Sequence, residues 1–176
     1  MYARRNRPWV LDETVGGSQG GPMHLVDEYA LCFDLKSGGL KWATRIVDDV
    51  AVNEYHWPKA EPLIHDGLVY FHSWNAFLTA VDAGTGKQVW QVDFFEHGAT
   101  RAGHHNKGGN WTGPLIAEGS VIVFFGTAQT GTNSIALDPK TGEVNWLTPT
   151  PGTAFRGTKT SMNAGEVDGK TAVMIS

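Results

Sequence analysis

The stretch that decides the fold is AVDAGTGKQVW, residues 80–90. It recurs as ALDPKTGEVNW at 136–146 and, more loosely, as CFDLKSGGLKW at 32–42. Each copy has an Asp, a Ser or Thr three residues later, a Gly directly after it, and a Trp eight residues after the Asp. This agreement predicts a repeated structural unit. Its members are Asp34, Ser37, Gly38 and Trp42; Asp82, Thr85, Gly86 and Trp90; and Asp138, Thr141, Gly142 and Trp146.

The residue types of this repeat predict a tight turn between two strands. The Asp carboxylate can accept hydrogen bonds from the backbone of the turn that follows it, and the Ser or Thr hydroxyl can add a side-chain bond. The Gly supplies the positive φ that closes the reversal. The Trp then lies inside the next strand, where its large flat ring can pack against a neighbouring sheet.

The segments around the two best copies predict four short strands each, joined by turns. No stretch longer than about ten residues has a helical apolar period, so no helix is predicted. The tryptophans recur at intervals of 48 and 56 residues, and one four-stranded propeller blade takes roughly 40–50 residues. The strands are EPLIHDG (61–67), LVYFHS (68–73), LTAVD (78–82) and KQVWQVDF (87–94), then GPLIAEG (113–119), SVIVFFG (120–126), NSIALD (133–138) and EVNWLTP (143–149).

Composition narrows the class of protein. The 176 residues suit one domain, and an apolar content of 41% with modest charge predicts a folded chain. The net charge of -4 argues against a nucleic-acid partner. There is no apolar run of about 18 residues, so no membrane span is expected. Cys32 is the single cysteine and cannot form an internal disulfide. The start, MYARRNRPWVLDE, has no apolar segment, so no signal peptide is expected.

The pattern A-x-D-x-x-T-G-x-x-x-W, preceded by EPLIHDGLVYF or GPLIAEGSVIVFFG, resembles the tryptophan-docking repeat of the PQQ-like, quinoprotein-type β-propellers. That family includes dehydrogenases that use pyrroloquinoline quinone (PQQ) and a cofactor-free relative, the outer-membrane assembly lipoprotein. The resemblance implies an all-β fold, a partial β-propeller of four-stranded antiparallel blades. It also implies that Trp42, Trp90 and Trp146 are buried between blades, and that the protein is periplasmic or secreted.

The predicted blades divide a single domain, residues 1–176, into four parts. Two are whole blades, at 61–94 and 113–149, and two are half-blades, a closing half at about 22–47 and an opening half at about 159–176. Joining the halves gives three blades, and propellers usually have four to eight. We therefore expect a fragment of a longer propeller, whose remaining blades are its first partners. The alternative is a chain that completes itself by association.

The links between blades carry the candidate binding residues. In FEHGATRAGHHNKGGNWTG (95–113), His97, His104 and His105 beside Glu96 could bind a metal ion. The alternative is a glycine-rich polar loop with its imidazoles in solvent or bonded to the backbone. Asn110 and Trp111 in the same link are candidate cofactor-binding residues.

Two other links have similar content. Arg156 and Lys159, in 151–163, could bind an anionic group such as a quinone carboxylate, or they are ordinary surface charges. The link 48–61 contains Glu54, His56 and Trp57. Three such links on one face of a propeller are typical of a binding funnel, and equally of any propeller's loops.

Two main functions remain after this reading, and the sequence does not decide whether the protein is an enzyme. A third, a hydrolase or sugar-binding propeller of similar repeat, would need clustered carboxylates on one face, and the links between blades contain few. The first is a binding or scaffold module, non-catalytic as it stands, whose loops take a protein or small-molecule ligand. The alternative is a fragment of a PQQ-dependent alcohol or sugar dehydrogenase, which would bind PQQ and Ca²⁺. In that family the quinone lies between a tryptophan and, in many members, a disulfide of adjacent cysteines. Cys32 has no such neighbour, although Asn53, Glu54 and Asn110 are of types that bind Ca²⁺.

Overall fold

A computed structural model of the chain describes residues 2–4, 24–52, 60–73, 76–99, 113–126, 132–150 and 162–175. These residues form antiparallel sheets and a single turn of 3₁₀ helix, Phe94–His97. The prediction of an all-β chain is confirmed. The strands are β1 (Tyr2–Arg4), β2 (His24–Phe33), β3 (Leu40–Val52), β4 (Leu63–His65), β5 (Leu68–His72), β6 (Phe77–Asp82), β7 (Gln88–Asp93), β8 (Leu115–Ala117), β9 (Ser120–Gly126), β10 (Thr132–Leu137), β11 (Val144–Thr150), β12 (Met162–Val167) and β13 (Lys170–Ile175).

Two four-stranded sheets have the same meander topology. Blade 2 has the order β4-β5-β6-β7, and blade 3 has the order β8-β9-β10-β11. Their registers also match, because Tyr70 and Trp90 flank Ala80 in blade 2 as Ile122 and Trp146 flank Ala136 in blade 3. Each sheet has a bulge directly after that alanine, where its last strand leaves the turn.

The first sheet, blade 1, is larger than the closing half-blade predicted at 22–47. β3 continues past residue 47 to Val52, and β1 adds a third strand on the outer edge of β2. β1 pairs with residues 26–28 alone. A three-residue strand carries too little periodicity to be recognised in sequence. β12 and β13 form a separate two-stranded sheet, here called the terminal hairpin.

Apolar side chains between successive sheets form the core. One cluster joins blades 1 and 2 around Ala30, Val69 and Val81. The largest joins blades 2 and 3, with Tyr70, Leu78, Ile135 and Leu137 fully buried. A third places Met162 and Val173 of the terminal hairpin against Ile122, Phe124 and Ala136 of blade 3. Each sheet therefore covers the next, as in stacked repeat units that cannot bury both faces alone.

The 3₁₀ turn opens the link after blade 2 and was not predicted from the sequence. Asp93 caps it by accepting a hydrogen bond from the Phe95 N–H, and Gly98, at φ 94°, ends it. Phe94 is buried there, and its ring stacks on that of Phe125 in blade 3 with 4.8 Å between the ring centroids. No helix in the described part of the chain has the length and hydropathy needed to cross a membrane.

Candidate functional site

The repeated turn is built around one carboxylate oxygen. Asp82 Oδ1 accepts hydrogen bonds from the Thr85 N–H at 2.8 Å and from the Thr85 hydroxyl at 2.7 Å. The Gly86 N–H donates to the Asp82 carbonyl, and Gly86 has a φ of 73°. Equivalent bonds close the turns at Asp34, with Ser37, and at Asp138, with Thr141.

These hydrogen bonds stabilise the charged form of each turn carboxylate. The Thr85 hydroxyl and then the Thr85 N–H lower the pKa of Asp82. The pKa values of Asp34 and Asp138 are lowered chiefly by the backbone N–H three residues on. Each of these carboxylates is held in its ionised form by hydrogen bonds from its own turn, so we assign it a structural role.

Trp90 connects the end of blade 2 to the turn of blade 3. Its indole N–H donates to the Pro139 carbonyl at 2.9 Å, and its ring lies against Gly142. A Cβ at Gly142 would stand 2.9 Å from Trp90 Cδ2, closer than side chains tolerate. Trp90 is buried, with 8% of its surface exposed. The Tyr70 hydroxyl also donates to the Pro139 carbonyl, and the Tyr70 and Trp90 ring centroids are 5.8 Å apart.

Trp42 makes the same contact one blade earlier. Its indole N–H donates to the Ala83 carbonyl at 3.0 Å, and its ring covers Gly86 so closely that a Cβ there would lie 2.6 Å from Cδ2. The Thr44 hydroxyl adds a hydrogen bond to the Gly86 carbonyl. In both contacts the indole of one blade binds the carbonyl after the Asp, and covers the Gly, of the next blade's turn.

Of the three indoles predicted to be buried, Trp90 is buried and Trp42 is half-buried, and the prediction is wrong for Trp146, which is 42% exposed. An indole at this position is covered by the turn of the following blade. The described part of the chain after blade 3 holds only the terminal hairpin, which has no such turn. At the other end of the array, the Asp34 turn is formed, but a Cβ at Gly38 would meet nothing within 4 Å.

A buried polar group lies at the opposite ends of the strands from these turns. Glu28 of β2 is 4% exposed, Ser73 and His72 are buried, and Ser73 is hydrogen-bonded to the Glu28 carboxyl. His72 also meets the edge of Phe94 at 5.6 Å. Both β5 and β7 run away from the Asp turns, so Ser73 and Phe94 mark the end of the blades that carries the inter-blade links, the link face.

Burial raises the pKa of Glu28 to about 7, and the hydrogen bond with Ser73 partly opposes that rise. The other carboxyl oxygen, Oε2, is buried without a hydrogen-bond partner in the structure. Its neighbour Asp27 is also buried and forms an ion pair with Arg45 at 3.8 Å. The sequence reading missed Glu28. Its one signal was an acidic pair inside an otherwise apolar strand.

Most of the predicted binding residues lie outside the described residues. His97 is described: it ends the 3₁₀ turn, is half-buried, and its carbonyl accepts a hydrogen bond from the Asn133 side chain at 3.5 Å. Beside it, Glu96 is exposed. Those outside are Asn53, Glu54, His56, Trp57, His104, His105, Asn110, Trp111, Arg156 and Lys159.

Comparison with known proteins places the chain in a family. The family model described as outer membrane protein assembly factor BamB matches residues 8–174. The chain belongs to this family of PQQ-like β-propellers. A quinoprotein ethanol dehydrogenase from Pseudomonas aeruginosa is 30% identical over an alignment 142 residues long, which covers 73% of this chain and 21% of that enzyme. The chain thus spans about a fifth of the curated relative.

Solved structures of PQQ-like propellers show the same fold at low identity. BamB from Moraxella catarrhalis matches 91% of this chain and 43% of its own, with a TM-score of 0.50 and 17% identity. A europium-containing methanol dehydrogenase matches 86% of this chain and 27% of its own, with a TM-score of 0.52 and 17% identity. The partial β-propeller predicted from the sequence is therefore confirmed as the fold.

Most residues that could hold PQQ or Ca²⁺, which the dehydrogenase branch of the family would imply, lie outside the described residues, Asn110 and Trp111 among them. Of the described tryptophans, Trp42 and Trp90 each lie against a glycine of the next blade and so serve the docking of blades. Cys32 is a free thiol. Within the described ranges there is no group of three or more His, Cys, Asp or Glu side chains that could hold a cation.

Proposed function

We propose that the chain is a binding or scaffold module of the PQQ-like propeller family, non-catalytic as it stands. The observation that supports this proposal is that the repeated residues make contacts between blades. Trp42 and Trp90 each bind a backbone carbonyl and cover a glycine of the next blade, so the strongest sequence signal serves docking between blades. On this view Trp146 is a docking residue too, and residues 1–176 form a single partial propeller domain whose remaining blades lie elsewhere in a longer propeller.

The link face is the proposed binding surface. Propeller ligands bind where loops gather on a rigid framework, because loops can change while the sheets keep their packing. Here the 3₁₀ turn, His97 and the buried Glu28–Ser73 pair all lie at the strand ends from which the links leave. The opposite end is occupied by the tight Asp turns.

A protein is the partner we favour, with a small molecule as the second possibility. The matching family model is named for an outer membrane protein assembly factor, which supports a role in holding another protein. By the same resemblance we propose that the protein works in the periplasm or at the cell surface. Binding there would depend on the link residues more than on the turns.

Site-specific photo-crosslinking tests this surface. A photoreactive amino acid at Glu96, exposed on the link face, should capture a protein in the producing cell. The matched control carries the photoreactive amino acid in place of Lys140, which is exposed in an Asp turn, and should capture little. Equal capture from both positions, or capture from Lys140 alone, would contradict a binding site on the link face.

The rival proposal, a fragment of a PQQ-dependent dehydrogenase, has one observation in its favour. The relative matching 73% of this chain is named a quinoprotein ethanol dehydrogenase. Incubation of the purified protein with PQQ and Ca²⁺ should then give a quinone absorbance that stays with the protein through gel filtration, together with alcohol-dependent dye reduction. The scaffold proposal expects neither signal, and retention of PQQ would count against it.

A further inference from the structure

The contacts between successive blades are sealed differently at the link face. Between blades 1 and 2, Glu28 of β2 is 4% exposed and forms a side-chain hydrogen bond with Ser73, the residue after β5. These two residues are here called the latch. The equivalent of Ser73 in blade 3 is Phe125, which stacks on Phe94 of blade 2. One contact is thus closed by two aromatic rings, and the other by a pair that contains a carboxyl group.

Neutral groups hold the rest of the contact between blades 1 and 2 in the described residues. At the turn end, the Trp42 indole donates to the Ala83 carbonyl. Nearer the middle, the Gln91 side-chain amide donates to the Ile46 carbonyl, and an apolar cluster fills the space between the sheets. These groups do not titrate near neutral pH. A change of pH in that range therefore acts on this contact through the latch.

The two oxygens of the Glu28 carboxyl are unequally satisfied. The Ser73 hydroxyl donates to the carboxyl, while Oε2 is buried without a hydrogen-bond partner in the described part of the chain. A protonated carboxyl is neutral and fits such a place at modest cost. A carboxylate does not, because a buried charge needs donors or a counter-ion to offset its loss of water. Loss of the proton therefore works against a closed link end.

The nearby charges of blade 1 are committed to one another. Asp27 precedes Glu28 in β2 and pairs with Arg45 of β3 at 3.8 Å. Arg45 also pairs with Asp48 at 3.8 Å. The guanidinium of Arg45 is thus shared by two carboxylates, and the described ion pairs of β3 do not include Glu28.

The pKa of Glu28 reflects these surroundings. Burial raises it, and the positive charge of the chain's amino group and then the Ser73 hydrogen bond oppose the rise, which leaves it at about 7 instead of 4.5. On the outer edge of β2, Tyr2 and Arg4 of β1 pair with Glu28 and Val26. The closed contact is therefore fully stabilised below pH 4.5 and is weakened as the pH rises to about 7.

The titratable groups at this end of blade 2 have other contacts. His72 precedes Ser73 and meets the edge of Phe94 on the side of blade 3, because successive residues of a strand face opposite sides of the sheet. Asp93 accepts a hydrogen bond from the 3₁₀ turn that it caps. The group that blade 2 presents to Glu28 is thus the neutral Ser73 hydroxyl.

We propose that the latch opens and closes the link-face end of the contact between blades 1 and 2 in response to pH. It is closed while Glu28 keeps its proton, and it opens as the carboxyl ionises and takes up water. The Trp42 contact at the turn end stays formed and acts as the hinge. Because the links leave the blades at the opened end, the spacing of the strand ends beside them changes. The proposal concerns the blade contact itself and does not depend on what binds the link face.

Amide hydrogen exchange of the purified chain, followed by NMR, tests the latch. Protection factors correct each amide for the chemical exchange rate at that pH, so they report the opening equilibrium. With a pKa of 4.5 for the opened carboxyl and about 7 for the closed one, protection should fall roughly fiftyfold between about pH 5 and about pH 7.5. The amides to follow are those of residues 27–29 and of Ser73, whose N–H donates to the Phe77 carbonyl at 2.8 Å.

Two other regions separate local opening from a general loss of stability. The amides of β9, in blade 3, and of Gly86, in the turn covered by Trp42, should change in protection by less than about threefold over the same pH range. An equal fall at Ser73, β9 and Gly86 would mean that the whole domain is weakened and would overturn the latch. Unchanged protection at Ser73 would overturn it as well.

Glu28→Gln separates titration from packing. Glutamine keeps the shape of the side chain and cannot ionise, so protection at Ser73 should be the same at both pH values. Glu96→Gln is the matched control, because it removes an exposed carboxylate on the same face and should keep the wild-type fall. If the Glu28→Gln variant shows the wild-type dependence on pH, another group is responsible and the proposal is wrong.

Ser73→Ala gives a readout that a merely structural seal would not change. The Ser73 hydrogen bond lowers the pKa of Glu28, so its removal should raise that pKa. The fall in protection of residues 27–29 should then continue above pH 7, where the wild type levels off. A structural seal would instead lose protection by the same factor at every pH, and a plateau at the wild-type position would contradict the pairing of Ser73 with Glu28.

Discussion

Trp90 is held at three points: a carbonyl, a glycine and a tyrosine, which together explain why a tryptophan stands there. Its N–H reaches the Pro139 carbonyl, its ring lies on Gly142, and Tyr70 packs beside it. A smaller aromatic would keep part of the packing and lose the hydrogen bond. The residue therefore contributes both apolar burial and a polar anchor to the contact between blades 2 and 3.

Replacing Trp90 with Ala should lower the free energy of unfolding by about 3–5 kcal/mol, because a buried indole is lost and a cavity remains. Urea denaturation measures the change. Val89→Ala, an exposed neighbour on the same strand, should stay within about 0.5 kcal/mol of the wild type. A loss at position 90 as small as that at position 89 would contradict the packing described here.

Gly86 and Gly67 separate backbone strain from packing. Both have positive φ, 73° and 77°, so Ala at either position should cost about 1–2 kcal/mol of backbone strain. At Gly86 the added Cβ also meets the Trp42 ring, whereas at Gly67 it meets nothing within 4 Å. Gly86→Ala should therefore cost roughly 1–3 kcal/mol more than Gly67→Ala by urea denaturation. Equal losses would mean that the indole does not press on the glycine.

At the scale of single elements, the strands differ in how many neighbours cover them. β6 lies inside a four-stranded sheet and is buried on both faces, while the terminal hairpin has two strands and is mostly exposed. Buried, doubly paired strands open only with the whole domain, and thinly covered elements open locally.

Hydrogen exchange should show this difference directly. In the purified chain, amides of β12 and β13 should exchange much faster than those of β6, because β6 is paired on both edges and buried on both faces. Mass spectrometry of peptides from the two regions measures the difference. Equal exchange rates in β6 and β13 would contradict this account of their cover.

The turns and strands could be predicted from the sequence because they depend on residues close together in the chain. Asp82, Thr85 and Gly86 interact within five residues, and a short, mostly apolar run before a turn signal suffices to predict β6. The exposure of Trp146 could not be predicted in this way, since it depends on whether another turn lies beyond blade 3. Glu28 was missed because its burial depends on Ser73, which lies in a different sheet.

For the molecule as a whole, carboxyl groups at opposite ends of the blades set opposite dependences of stability on pH. Glu28 has a pKa raised from 4.5 to about 7, so the folded state holds its proton more tightly than the unfolded state. Stability then falls as the pH rises from about 4.5 to about 7. The turn carboxylates have lowered pKa values, and their contribution is lost as the pH falls below 3.8.

The midpoint of thermal unfolding should therefore be highest at about pH 4, above the loss of the turn carboxylates below pH 3.8 and below the decline that Glu28 causes from about pH 4.5. Glu28→Gln keeps the shape of the side chain and removes the titration, so it should abolish most of the decline between about pH 4.5 and pH 7. That decline corresponds to up to about 3 kcal/mol. Asp82→Asn should lower the midpoint above pH 3.8, where the ionised carboxylate stabilises the turn, and should reduce the loss of stability below that pH. A Glu28→Gln variant with the same pH profile as the wild type would contradict the buried carboxyl.

The indole contacts bind the main chain of the neighbouring turn, and this has a consequence for how such proteins diverge. The position whose carbonyl accepts the hydrogen bond is Ala83 in one turn and Pro139 in the next, two unrelated side chains. Mutation at that position leaves the acceptor in place, because every amino acid has the same carbonyl. The fold therefore needs only a few residues at fixed spacing in each blade, and the sequence at the other positions of the turn can diverge.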